Sequence, residues 1–242
     1  MANEEKPVVS PAAAKEPAAG IQSNETLVSF IQKNRKPLIA AVIGIIVLFL
    51  GFVAALGIRE SMMSKSLSRL EALNERYEAL RMDITDPEKE ADVQALLDDL
   101  DVHAKKSSGY AGARSGALIA AIHADRKNWT DAEKAWVLAA KKAAKTYFAP
   151  AALYNAAVAA EEDNNIETAI AHYTEAAARS DSFPQAARAQ FQIGRLEEGQ
   201  ENREAALAAY RTLIEKWPSE TVWTNLANSR IIALSGGLNL AD

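Results

Sequence analysis

Histidines, carboxylates and hydroxyls are the usual carriers of catalysis, and in this 242-residue chain their placement argues against it. His103, His123 and His172 stand far apart, each on an expected helix, and none has the spacing of a metal ligand. The acidic pairs Asp98-Asp99, Glu161-Glu162 and Glu197-Glu198 fall at helix ends or on outer faces. Acid–base chemistry needs carboxylates converging in a pocket, so these pairs read as solvated faces. Ser235-Gly236-Gly237 follows the last expected helix and is not a phosphate loop. The chain has no cysteine, which removes disulfides, thiolate metal sites and thiol nucleophiles together. The reading is a non-enzyme, with no cofactor and no metal.

Arginine and aromatic side chains remain, and these are the types that anchor protein partners. Arg114, then Tyr154, Asn155 and Val158, then Arg188, Phe191 and Arg195 fall on the first helices of successive helix pairs. They outline a candidate peptide groove. Basic residues there, on an acidic domain, suit peptides with acidic or carboxylate groups. The other reading of Tyr154 and Phe191 is ordinary core between helix pairs.

The elements that must position these residues repeat along the chain. Ala120, Ala157 and Gly194 recur every 37 residues, and so do Ala132, Ala169 and Ala206. Trp136, Tyr173 and Tyr210 form a third column, and Ala139, Ala176 and Leu213 a fourth. A small residue lets two helices cross closely, and an aromatic four residues after the second helix's small residue fills the wedge toward the next pair. The pattern resembles the tetratricopeptide repeat, whose signature is small, aromatic and proline. Ile193-Gly194, Ala206, Tyr210 and Pro218 match it best. The resemblance covers about residues 113–220 in three units, with 110–112 leading in. The period is 37 rather than that family's 34, although Pro150, Pro184 and Pro218 follow at intervals of 34. Asn155 and Arg188 stand where two residues of some such proteins' carboxylate clamp would, whereas Ala117 and Ala121 occupy the first unit.

Upstream, Leu38 to Ile58 contains no charged residue. As a helix rising about 1.5 Å per residue it would cross roughly 30 Å of hydrocarbon. An uncleaved single membrane span is the reading favoured over a cleaved signal segment or a buried soluble helix, because the run is longer than a signal core and starts well into the chain. Lys33, Arg35 and Lys36 precede it closely, and Arg59, Lys65 and Arg69 follow more sparsely. The denser cluster puts the N-terminus in the cytoplasm and the rest across the membrane.

The expected organisation is a disordered tail at 1–22, an amphipathic basic lead-in at 23–37 bending at Pro37, and the span at 38–58. A helical connector follows at 59–109, three repeats at 110–220, and a capping helix with tail at 221–242. In the connector, Leu67, Leu70, Leu73, Tyr77 and Leu80 form one stripe, read as packing on the protein's own core before self-association through a coiled coil. In the capping helix Trp223, Leu226, Ala227, Ile231 and Leu234 are expected to face inward. The fold class is all-α: one transmembrane helix, then a helical-repeat solenoid. Of the net charge of −5, residues 1–59 hold six Lys/Arg and four Asp/Glu, leaving an acidic remainder unsuited to nucleic acid.

Phe30-Ile31 beside the basic cluster, the single anchor, and GYAGARSGALIAA leading into repeats together resemble the ancillary subunit of the bacterial Sec translocon. The resemblance implies an inner-membrane protein with a periplasmic repeat domain that associates with the translocon and a membrane-anchored chaperone. The function expected is a tethered accessory of protein export or periplasmic chaperoning. The alternative is an envelope scaffold that organises another membrane complex.

Overall fold

The structure is a computed structural model describing residues 28–236, in which all regular structure is helical. The expected tail, the first residues of the lead-in and residues 237–242 lie outside the described residues.

The chain divides into two units, residues 1–61 and 62–242. In the first, helical residues from Val28 reach a turn at Asn34, whose N–H donates to Phe30 O at 3.0 Å. The helix α1, Arg35–Leu80, begins directly after it. The Leu38 N–H donates in turn to Asn34 O at 3.0 Å, so helical hydrogen bonding continues on both sides of Pro37, where a bend was expected. Pro37 sits in the first turn of α1, where amide N–H groups have no partner within the helix and a missing one costs little. The side chains of 38–58 are exposed, and this is the one helix among the described residues long and apolar enough to cross a membrane.

The second unit opens with the remainder of α1. Leu70, Leu73 and Tyr77 are buried in one cluster with Val93, Leu96, Leu97 and Leu100, and with Leu118 and Ile122. The stripe is thus covered by its own domain, apart from Leu67, which is exposed. A 3-10 turn at Pro87–Lys89 leads into α2, Glu90–Lys106. Asp86 starts it: its Oδ1 accepts the Glu88 N–H at 2.9 Å, with proline at the first helical position.

Three helix pairs follow: α3 Gly109–Asp125 with α4 Trp129–Lys142, α5 Phe148–Glu162 with α6 Ile166–Ala177, and α7 Ala186–Gly199 with α8 Arg203–Lys216. α9, Thr221–Gly236, covers α8. The turn inside each pair is the same. Lys127, Asn164 and Glu201 take left-handed backbone, at φ 57°, 57° and 63°. The next residue in each case, Asn128, Asn165 or Asn202, donates its N–H back to the carbonyl of His123, Ala160 or Glu197 at 2.8 to 2.9 Å. This closes the first helix with the 6→1 bond of a Schellman turn and reverses the chain.

Short turns of this kind make the helices of a pair antiparallel. Ala132, Ala169 and Ala206 are fully buried at the crossings, as are Tyr173 and Tyr210. Gly194 meets the tightest crossing: a Cβ there would lie 2.5 Å from the Tyr210 ring. On α9, Ala227 is buried, and Trp223, Ile231 and Leu234 pack beside it. Leu226 does not face inward; it is 42% exposed and Thr224 takes the buried position. The line of buried Thr224 and Ala227 and partly buried Ile231 leaves 226 on the outer side of the helix, which apolar residue type alone does not distinguish.

Candidate interaction surface

The first helices of the pairs place equivalent residues 37 apart, so Tyr154 on α5 and Phe191 on α7 hold the same position. Each ring leans on the aromatic of its own pair: Tyr154 on Tyr173 at 5.1 Å between centroids, Phe191 on Tyr210 at 5.4 Å. Tyr154 is buried, also against Phe183 at 6.1 Å, and its hydroxyl has no hydrogen-bond partner among the described residues. Phe191 is half-buried and touches Trp223 at 5.5 Å.

Arg188 lies exposed between these layers. Its guanidinium carbon is 5.3 Å from the Tyr154 ring centroid and 6.0 Å from that of Trp223. Cation–π attraction holds such a side chain in place without neutralising its charge. The structure therefore brings Tyr154, Arg188 and Phe191 together, and adds Trp223, read from sequence only as a cap residue. Tyr154 forms the floor beneath Arg188 rather than an open contact.

Val158, one turn after Tyr154, is 37% exposed, and Asn155 is half-buried on the same helix. Arg114 is half-buried on α3 and makes none of these ring contacts. Arg195 is engaged elsewhere: its Nη2 bonds both Glu161 carboxylate oxygens at 2.6 Å, and its Nε bonds Gln192 at 2.7 Å. Phe191 and Arg195 also line an open pocket of about 520 Å³ with Glu198, Gly199, Tyr210 and Arg230.

The acidic pairs are not merely solvated faces. One member of each ties two helices. Asp99 on α2 accepts from Arg69 at 3.0 Å and Arg76 at 2.5 Å on α1, and the Arg76 hydrogen bond above all holds its carboxyl below the usual range. Glu161 accepts the hydroxyl of buried Tyr173 at 3.4 Å while bridging to Arg195. Glu198 repeats the arrangement, accepting from Tyr210 at 3.1 Å and pairing with Arg230 of α9. Burial pushes both phenols up, helped at Tyr173 by Tyr154 and Glu161 and opposed at both by Arg195.

The histidines are structural as well. His103 Nδ1 lies 2.7 Å from Ser115 Oγ, and its Nε2 faces Ser66 and Ser107, joining α1, α2 and α3. His172 meets Glu133 at 2.8 Å between neighbouring pairs. His123 Nδ1 is buried without a partner, and burial lowers its pKa. Among the described residues no group of histidines and carboxylates is placed to hold a metal.

Known proteins agree with this architecture. The tetratricopeptide-repeat family profile matches residues 188–219, the third helix pair from Arg188 onward. A "TPR repeat-containing protein" of Treponema pallidum (strain Nichols) is 40% identical over 129 residues. That match spans 53% of this chain and 53% of the relative, so the chain covers about half the length of the protein it matches. Such repeats are typically non-enzymatic scaffolds for protein–protein interaction.

Proposed function

We propose that this chain is a membrane-tethered interaction module that captures acidic or carboxylate-bearing segments of partner proteins beside Arg188. Leu38–Ile58 would anchor it in the bacterial inner membrane, with the N-terminus cytoplasmic and the repeats periplasmic. The setting that suits this best is an accessory role in Sec-dependent export or periplasmic chaperoning, with the translocon and a membrane-anchored chaperone as neighbours.

One observation carries the reading. Arg188 is exposed, its guanidinium is held by two rings, and it takes part in none of the ion pairs among the described residues. A pre-placed arginine loses little side-chain freedom on binding and offers a planar fork to a carboxylate. The partly exposed Val158 and Phe191 would supply apolar contact nearby.

The test is titration of the full chain, reconstituted in nanodiscs, with acidic peptides and their amidated, neutral counterparts. Acidic peptides should bind more tightly, and Arg188→Glu should remove at least about tenfold of that affinity, the value of one charged hydrogen bond. Equal binding of both peptide sets, or no effect of Arg188→Glu, overturns the reading.

The scaffold alternative draws on a different surface. Val222 and Ile232 on α9 are exposed apolar residues at the end of the array. Self-association abolished by Val222→Asp or Ile232→Asp would favour it.

A further inference from the structure

The repeat domain is polarised in charge from one edge to the other. Because consecutive helices are antiparallel, the C-terminal ends of α2 and α4 share an edge with the N-terminal ends of α3 and α5. Lys105 and Lys106 stand in the last turn of α2, and Lys141 and Lys142 in that of α4, with Lys145 just beyond. These ends touch: Lys142 Nζ donates to Ser107 O at 3.1 Å and reaches Lys105 O at 3.5 Å. Lys105 pairs with Asp101 of its own helix at 2.5 Å, and Lys106, Lys141 and Lys145 take no carboxylate among the described residues.

At the opposite edge acidic residues outnumber basic ones, although Arg195 and Arg230 pair there with Glu161 and Glu198, and Arg126 and Lys127 follow α3. Glu161-Glu162-Asp163 and Glu197-Glu198 close α5 and α7, and neither helix has a basic residue in its last turn. Acidic residues at a helix C-terminus oppose the macrodipole, so helix electrostatics alone do not produce this separation.

Exposed aromatics accompany the basic edge. Tyr110, at the start of α3, is 52% exposed, and Tyr147, just before α5, is 70% exposed. Tyr110 meets Phe148 edge-on at 6.4 Å between centroids. Tyrosine beside lysine is the pairing found at membrane–water interfaces, where the ring sits at headgroup level and the ammonium meets phosphate.

This edge also lies near the apolar stretch along the chain. Ser66 Oγ is 2.8 Å from Ser107 Oγ, so Ser66 lies at the same edge. Ser66 follows Ile58 by eight steps of chain, which span at most about 28 Å when fully extended.

We propose that the edge bearing Lys106, Lys141, Lys145, Tyr110 and Tyr147 docks on anionic phospholipid headgroups of the bilayer that holds the apolar stretch. This rests on reading Leu38–Ile58 as a membrane span. Docking presents the basic edge to the lipid and leaves the acidic edge toward water. Each lysine near an anionic surface contributes about a fivefold factor, so removing three shifts docking on the order of a hundredfold.

The absence of native cysteine makes the test direct. Full-length chain carrying a fluorophore on Ala144→Cys or Glu162→Cys is reconstituted in phosphatidylcholine vesicles with or without phosphatidylglycerol, each doped with a nitroxide-headgroup lipid. The label at 144 should be quenched in anionic vesicles and little in zwitterionic ones. The label at 162 should be quenched in neither. Combined Lys106→Glu, Lys141→Glu and Lys145→Glu, or high salt, should erase the quenching at 144 while circular dichroism stays unchanged. Equal quenching at 144 in both lipids, equal quenching at both labels, or indifference to the triple variant overturns the docking surface. Vesicle flotation separates the premise: chain that does not float with vesicles overturns the span, and the docking with it.

Discussion

Arg195 of the third helix pair grips Glu161 of the second with one nitrogen equidistant, at 2.6 Å, from both carboxylate oxygens. Glu161 simultaneously receives the Tyr173 hydroxyl, so a single carboxylate joins the core of one pair to the surface of the next. Glu198 does the same between Tyr210 and Arg230 of α9.

These contacts belong to the stability of the array. Arg195 and Glu161 are both partly exposed, so a double-mutant cycle with alanine should give a coupling of about 0.5–1 kcal/mol in urea unfolding. Tyr173→Phe should cost about 1 kcal/mol through the lost hydrogen bond. A coupling of zero would mean that the lock holds geometry without contributing energy.

Gly194→Ala should destabilise by about 1–3 kcal/mol, because the new Cβ would lie 2.5 to 2.9 Å from three Tyr210 ring atoms. Substituting Tyr210→Leu should relieve part of that penalty, so the two changes together cost less than their sum. Additive costs would show that the clash is absorbed elsewhere.

The connector stripe makes a sharp contrast between neighbours. Leu73→Ala removes a fully buried side chain and should cost about 2–5 kcal/mol, whereas Leu67→Ala, at an exposed position, should change unfolding by less than about 0.5 kcal/mol. Equal effects would indicate that the stripe is buried by a second copy instead.

His123 gives the array an acid-sensitive point. Its folded-state pKa is lowered, chiefly by burial, so the native state binds the proton less readily than the unfolded chain. Stability is then complete above the unfolded value near 6.5 and is lost progressively as pH falls below it. His123→Gln should flatten the dependence of the urea midpoint on pH in that window. An unchanged acid limb would assign the dependence to other groups.

Much of the fold was legible because packing imposes its period on the sequence. The four columns 37 apart correspond to buried crossings and aromatic wedges, and they located every helix pair. A fifth column 37 apart, Asn128, Asn165 and Asn202, marks the reversing turn, whose left-handed residue is Lys127, Asn164 or Glu201. Only one of those three types is suited to that backbone, so the turn left a weak signal at the residue itself. The ion pairs were not legible. Glu161 and Arg195 lie 34 apart, on different helices, and nothing in their local sequence distinguishes them from solvated charges. Of the proposed surface, the repeat register gave Tyr154, Arg188 and Phe191 from sequence, whereas the burial of Tyr154 depends on Tyr173 and Phe183, and the arrival of Trp223 on how α9 packs beside Phe191.

The most direct test of partner capture beside Arg188 is in-cell photo-crosslinking from Val158 and Phe191, with and without Arg188→Glu, and identification of the captured proteins. Translocon subunits, a periplasmic chaperone or exported chains captured by the parent and lost with Arg188→Glu is the predicted result. Capture that persists unchanged with Arg188→Glu, or capture of the chain's own copies alone, would contradict it.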